Sequence, residues 1–427
     1  MRDVPTATRE GDRAKSGSGP DEATAMTRLL NWVMSAVVLI DVVGFVLHIG
    51  RISFFLGGSG RTAAIGAEVL MLLIGAAACV ILQMWSVLFI AFLIAVYIFA
   101  QAVLFAHNFG TEIVIAAQSG FLGWLSILVF APALKVLGQE KLVNLLFLVT
   151  LGYAVFYLLL SLGVPGFQPP VDNTELLSLK SDEALGRPSR FVMLSAMLAF
   201  GCYVSMSRIM RRGQPLYLAS LLLCIAAIWL SYSRTATLMI FLVGAGYVAI
   251  RNVRLIGWFS LGALVIAGGA LVLGLLSPHF YPFDLFGARD LSAVARGHEY
   301  NLMRHVIFDY WLFGVGFSPG QEATSAVVSY GWFYVSDLGA AGVFFEAGLV
   351  GLALFLIASI VSALPSGWLK RLGYDRTNTE ALALTGCAST LFGVLWPELW
   401  NNTATLFGAL FLAAALVAPP QQVRQDD

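Results

Sequence analysis

The sequence predicts an all-α polytopic membrane protein of about 12 transmembrane helices, with one large external loop between the ninth and the tenth. Three observations carry this. Of the 427 residues, 59% are apolar and only 12% are charged, and mean hydropathy is +0.82. Soluble domains carry roughly 25% charged residues, so half that fraction belongs in a bilayer. The apolar residues fall in runs near the roughly 20 residues that a helix needs to cross. Basic residues then divide unevenly between the links, as the positive-inside rule requires. With the N-terminus inside, sixteen of the 25 Lys and Arg residues lie in cytoplasmic segments and nine outside.

Taken in order, residues 1–27 are rich in Pro, Ser, Gly, Thr and charge, and read as a disordered cytoplasmic tail. A secretory signal would place its apolar region close behind a short basic start. Nine runs follow within residues 28–276: Leu29–Ile49, Ala63–Leu82, Met84–Ala106, Ile113–Leu134, Leu142–Val164, Phe191–Met206, Leu216–Ser231, Thr235–Ile250 and Leu255–Leu276. Residues 277–337 form the long external loop. Leu338–Leu364, Ala381–Leu395 and Ala404–Ala418 complete the count within 338–418, and 419–427 is a cytoplasmic tail. S-R-I-M-R-R-G and R-N-V-R supply the strongest local basic signals, both on inside links. The four cysteines (Cys79, Cys202, Cys224, Cys387) all fall inside apolar runs and read as small buried hydrophobes. Zero formal net charge argues against a nucleic-acid partner. No repeat is evident.

Candidate chemistry concentrates on the external side. Arg234 stands in L-S-Y-S-R-T-A-T-L, between two apolar runs with almost no link. A guanidinium is permanently charged and binds two phosphate oxygens at once; the competing reading is a topology anchor or a structural ion pair. The Gly166–Arg190 link ends in Arg187 and Arg190 just before a helix. In the long loop, Asp290–Phe308 shows helical spacing, with Leu291, Val294, Leu302, Val306 and Ile307 recurring. Arg289 and Arg296, seven apart, would share a face of a continuous helix, and Arg304 follows. Gly314, Gly316 and Gly320 would end that helix and permit close backbone approach. His298 beside Glu299 is a candidate base, against the alternative of ordinary surface. Asp41, Glu68 and Glu346 lie in apolar runs, where acids are functional candidates by default, and a structural salt bridge is expected for each. D-x-D, H-E-x-x-H and G-K-[ST] are all missing, which disfavours metal-dependent sugar-nucleotide transfer and P-loop ATP use.

Three segments together resemble a family. L-S-Y-S-R-T-A-T-L (230–238), A-R-G-H-E-Y-N-L-M-R-H-V-I-F-D-Y-W-L-F-G-V-G (295–316) and S-D-L-G-A-A-G-V-F-F-E-A-G-L-V-G-L (336–352) are similar, in order and spacing, to motifs of the bacterial O-antigen ligase and O-antigen polymerase superfamily. The resemblance covers the last 240 residues or so, and the first half in topology only. It implies a metal-independent, inverting membrane glycosyltransferase at the outer face of the inner membrane, with no cofactor. Its donor and acceptor would be oligosaccharides on undecaprenyl pyrophosphate, and a chain-length regulator is an expected partner. It makes Arg234 and Arg296 the two phosphate-binding arginines, with Arg289, Arg304 and Arg190 as further candidates. The third segment matches the part of the family that re-enters the membrane. Ser336-Asp337 stand where the ligase branch carries a His-Asn pair, so the polymerase branch is favoured over transfer to a lipid A core or a protein. Asp337 then becomes the candidate proton acceptor, with a helix N-cap as its alternative role. A transporter or flippase of lipid-linked sugars is the reading from another class; it would show paired repeats and interrupted helices, and the sequence suggests neither.

Overall fold

A computed structural model describes residues 20–49, 60–111, 119–165, 167, 178–180, 190–191, 194–231, 233–276, 291–318, 338–364, 375–394, 398–401 and 404–417. The helices are α1 (Pro20–Ile49), α2 (Gly60–Ile81), α3 (Trp85–Phe109), α4 (Ser119–Leu125), α5 (Ile127–Leu137), α6 (Gln139–Ser161), α7 (Ser195–Arg212), α8 (Leu216–Leu230) and α9 (Arg234–Ile250). Next come α10 (Val253–Ala263), a π turn (Leu264–Gly268), α11 (Gly269–Leu276), α12 (Leu291–Tyr310), α13 (Gly339–Ala363), α14 (Arg376–Phe392), α15 (Glu398–Asn401) and α16 (Ala404–Val417). The described residues of the apolar runs lie in helices for the most part, with Phe191 in a short strand. Six helices are long and apolar enough to cross a membrane by length and composition alone.

One boundary differs from expectation. Residues 20–27, read as tail, continue α1. Pro20 fits the first helical position and Asp21 and Glu22 favour the positive end of the helix dipole, so local capping chemistry carries the helix beyond the apolar run. The fold is also not purely helical: Ser178–Lys180 (β1) pairs antiparallel with Arg190–Phe191 (β2) inside the link preceding α7. Of the tail, residues 1–19 lie outside the described part, as do residues 277–290 and 319–337 of the long loop.

Large apolar side chains cover the outside of the bundle. Trp32 is 71% exposed, Leu73 63%, Phe259 63% and Ile266 76%, a surface that only lipid solvates without penalty. The inside is built around α14, whose residues from Thr377 to Phe392 are all buried, against α7, α10 and α13. Small residues allow this. A methyl group on Gly386 would overlap the Ser362 carbonyl at 1.8 Å, and one on Gly257 would meet the Ala363 carbonyl at 2.4 Å, the close helix approach that small residues provide in membranes.

The arginines of S-R-I-M-R-R-G hold the same end of α14. Arg211 grips Glu380 with two bonds, from Nε at 3.1 Å and Nη2 at 2.6 Å. Arg376 donates to it at 3.0 Å and the Tyr247 hydroxyl completes the shell. Arg212 reaches Asp375 at 2.7 Å, while Asp375 caps α14 through the amide of Asn378 at 2.6 Å. Arg208 is buried over the rings of Phe147 and Tyr217 and donates to the Tyr217 hydroxyl and to Asn144. Burial alone would raise the Glu380 carboxyl, but the bonds from Arg211, Tyr247 and Arg376 outweigh it and hold it below its ordinary 4.5.

α13 is broken. Gly348, at φ 62° and ψ −157°, has a conformation reserved for glycine. Its neighbours Glu346 and Phe345 release their carbonyls, and the amides of Gly316 and Val315 take them, both at 2.9 Å. In return the Leu349 amide donates to Trp311 O at 3.0 Å and Val350 to Leu312 O at 3.2 Å. The expectation that no helix is interrupted is therefore corrected, and the π turn between α10 and α11 is a second irregularity. A Cβ on Gly348 would lie 2.4 Å from the Leu312 carbonyl, one on Gly314 2.3 Å from Glu346 backbone, and one on Gly316 2.4 Å from the Phe105 amide.

Gly348→Ala should abolish recovery of monodisperse protein in detergent, or lower its unfolding temperature by several degrees. Gly246→Ala, in open space on a helix, should be neutral or stabilising by about 1 kcal/mol. Equal behaviour of the two variants would show that the α13 break is incidental. For Glu380, a carboxyl depressed by folding contributes stability above its unfolded value that is lost as pH falls through the folded value. The acid limb below pH 4.5 should therefore flatten in Glu380→Gln, which should also lose about 2 kcal/mol at neutral pH, read by thermal unfolding across pH.

Candidate functional site

α12 is the described part of the long loop, and it lies against the bundle rather than standing free. Tyr300, Met303 and Ile307 are fully buried, spaced so that one stripe faces inward. That stripe packs on Leu271 and Leu275 of α11, Phe344 and Phe345 of α13, and Phe105 of α3. The Tyr300 hydroxyl donates to the Leu271 carbonyl. The helix ends at Gly314, whose amide returns to the Tyr310 carbonyl at 2.7 Å with φ at 74°, and the chain passes straight into the α13 break.

The phenylalanine after the G-V-G sequence anchors this junction. Phe317 stacks on Phe121 at 4.1 Å and meets the edges of Tyr97 and Trp400, each 6.0 Å away. Its amide donates to the Gln101 carbonyl at 3.0 Å. The sequence singles out none of Tyr97, Phe121 and Trp400, because rings scattered over α3, α4 and α15 show no local pattern; only Phe317, adjoining the glycines, carries a signal.

The sequence-predicted residues separate clearly. Arg296 lies one turn before Tyr300 on the inward stripe, and its Nε is buried without a hydrogen-bond partner among the described residues. A half-buried arginine with an unsatisfied Nε suits an anion, since burying a charged donor without a partner is costly. Arg304 is tied to α11, although its Nε, like that of Arg296, takes no hydrogen-bond partner among the described residues. Its Nη2 donates to the Gly274 carbonyl at 2.6 Å, and the guanidinium lies over the Tyr300 ring at 5.9 Å. His298 is exposed, and two residues of helix turn it about 200° from Arg296, so these two do not share a face. Arg234 opens α9, and Arg190 pairs with Lys180 across the two short strands. The side chains of both lie outside the described residues, as do Arg289 and Asp337 entirely. Leu338, immediately after Asp337, is buried in the cluster that holds Tyr300 and Ile307. Gly320 also falls outside the described part.

The expected salt bridges of the intramembrane acids are largely corrected. Glu68 meets His48 at 3.3 Å. Asp41 and Glu346 have no ion pair among the described residues; Glu346 instead faces Trp400 and Tyr97. Those helices bring no basic side chain to them, because bundle packing matched apolar volume, not charge. No three His, Cys, Asp or Glu side chains among the described residues converge as a metal site. No protein-family model and no curated protein matches the chain, so the family resemblance rests on the residues of its three motifs alone.

Proposed function

We propose that the protein is a polysaccharide polymerase of the inner membrane, crossing it twelve times with both termini cytoplasmic and residues 277–337 periplasmic. It would join repeat units carried on undecaprenyl pyrophosphate into a cell-surface polysaccharide. The observation that carries this is Arg296, an inward-facing guanidinium with an unpartnered buried Nε, on the helix that leads into the broken α13. Arg234 is its proposed partner, at the start of α9. Together they would neutralise the pyrophosphate as it leaves, a role that metal ions fill elsewhere, while two membrane-bound substrates supply proximity. Asp337 is the preferred proton acceptor over His298. Its neighbour Leu338 belongs to the cluster beneath α12, whereas His298 lies on the face turned away from Arg296. A carboxylate there would take the acceptor hydroxyl proton as the glycosidic bond forms. Arg304, committed to Gly274, is assigned to positioning α12.

The broken α13 favours one second reading, a transporter of lipid-linked sugars, because interrupted helices form substrate sites in such proteins. Against it, the amides of Val315 and Gly316 already take the Phe345 and Glu346 carbonyls that the break releases.

Purified protein supplied with lipid-linked repeats should make products of increasing length, in excess chelator as well as without it. Arg296→Ala and Arg234→Ala should each lower turnover by about a hundredfold or more, and Arg234→Lys should remain poor because a point charge does not replace a fork. Asp337→Asn should fold normally and lose activity; full activity would reduce Asp337 to an N-cap. Movement of substrate between leaflets without elongation would support the transporter instead.

The topology has its own test. Single cysteines at Ser292 and Gln214 should label from opposite sides of the membrane, on a low background because all four native cysteines are buried. Labelling from the same side would exclude the twelve-crossing arrangement.

A further inference from the structure

α1 and α2 enclose three ionisable side chains that the proposed reaction does not use. Asp41 and Glu68 are 0% exposed and His48 is 2%. Asp41, Gly44 and His48 follow one another at helical spacing on the face of α1 turned to α2. Gly44 lets the helices touch: a Cβ there would sit 3.3 Å from the Ala64 carbonyl and 3.7 Å from the Glu68 Cβ. Glu68 is thus set between the two, with Oε2 3.3 Å from His48 Nδ1 and its charge facing Asp41. The Ser126 hydroxyl, entering just before α5, faces Asp41 from the other side. Four atoms of this row take no hydrogen bond among the described residues: both Asp41 carboxylate oxygens, Glu68 Oε1 and His48 Nε2.

Two carboxylates in apolar surroundings cost several kcal/mol each if ionised and unpaired, and such groups neutralise instead. Among the described residues, the cations of the packed elements stand at the ends of the row. Arg61, on the first turn of α2, is exposed, and His107 is exposed at the end of α3. Lys135 of α5 is at the opposite end, bonded to Leu82 O at 3.2 Å; Glu140 and Lys141 open α6, which starts just beyond α5, and Arg28 lies on α1 two turns and more before Asp41. α4 and α16 bring no charged residue. The donors do not converge as a metal site.

We propose that Asp41, Glu68 and His48 form a proton-binding site sealed between α1 and α2 and loaded from the His48 end. The ligand is a proton carried by one or other of the two facing carboxyl groups. It enters through His48, which takes it at the free Nε2 and releases the Nδ1 proton to Glu68, and it passes on to Asp41. The row spans about 10 Å of helix, from the last turn of α1 toward its middle. On the twelve-crossing arrangement the loading end is periplasmic, but the site does not depend on the polymerase assignment.

Infrared spectra of the full-length protein in liposomes test this. At neutral pH a carbonyl stretch of a protonated carboxylic acid should be present and should shift on exchange into heavy water. Asp41→Asn and Glu68→Gln should each diminish it, while Glu346→Gln, at a half-buried acid outside the row, should leave that component in place. His48→Gln should keep the band but slow its exchange by on the order of a hundredfold, the effect of removing a positioned proton-transfer group. If the acid variants do not fold, the wild-type band and the His48→Gln exchange rate still decide. Absence of the band in the wild-type, or its persistence in both acid variants, overturns the site; an unchanged exchange rate in His48→Gln overturns the loading route.

Discussion

The structure turns on one exchange of backbone hydrogen bonds, in which the break at Gly348 and the turn at Gly314–Gly316 complete each other. A broken helix in a membrane leaves carbonyls and amides that lipid does not satisfy, at a cost of several kcal/mol per group. Here Val315 and Gly316 take the carbonyls of Phe345 and Glu346, while Leu349 and Val350 return amides to Trp311 and Leu312. Neither segment is stable at that depth without the other. Gly314 and Gly348 are required because the two backbones meet where no Cβ fits, and Gly316 because a Cβ there would meet the backbone of α3 at Phe105. α12 is consequently held to the bundle at its C-terminal end, and its orientation sets where Arg296 points.

Charge is treated differently at the two ends of the molecule. Around α14 the described charges are paired: Glu380 is shared by Arg211, Arg376 and Tyr247, and Asp375 by Arg212 and the helix N-terminus. Such a network resists rearrangement and reads as structure. Arg296 has an unmatched donor, and Asp41 and Glu68 have unmatched acceptors. A folded protein tolerates unmatched buried polar atoms where a ligand or a proton supplies the missing interaction. Arg208 and Arg304 also leave Nε unmatched among the described residues, but their terminal nitrogens are already bonded to Tyr217, Asn144 and Gly274.

The candidate site accordingly combines a rigid frame with a single incomplete group. Tyr300, Met303 and Ile307 seat the helix, Arg304 ties it to α11, and Phe317 wedges the following turn between Phe121, Tyr97 and Trp400. Arginine has many rotamers, and fixing the backbone beneath it lowers the entropy lost when it closes on an anion.

The sequence by itself determined the helices, because a helix in lipid satisfies its own backbone and its signal is local apolar length. The twelve runs, the helix across 291–310 and the need for glycine at 314 and 316 were all legible that way. Only the tertiary structure decided which partners these residues meet. It brought Glu346 and Phe345 to the glycines, turned Arg296 inward and His298 outward, and spent Arg304 on a carbonyl. It also gathered Asp41, Glu68 and His48 into one row in place of separate salt bridges. These choices depend on how small residues such as Gly44, Gly257 and Gly386 let particular helices approach, a property of pairs of segments that hydropathy along one chain does not encode.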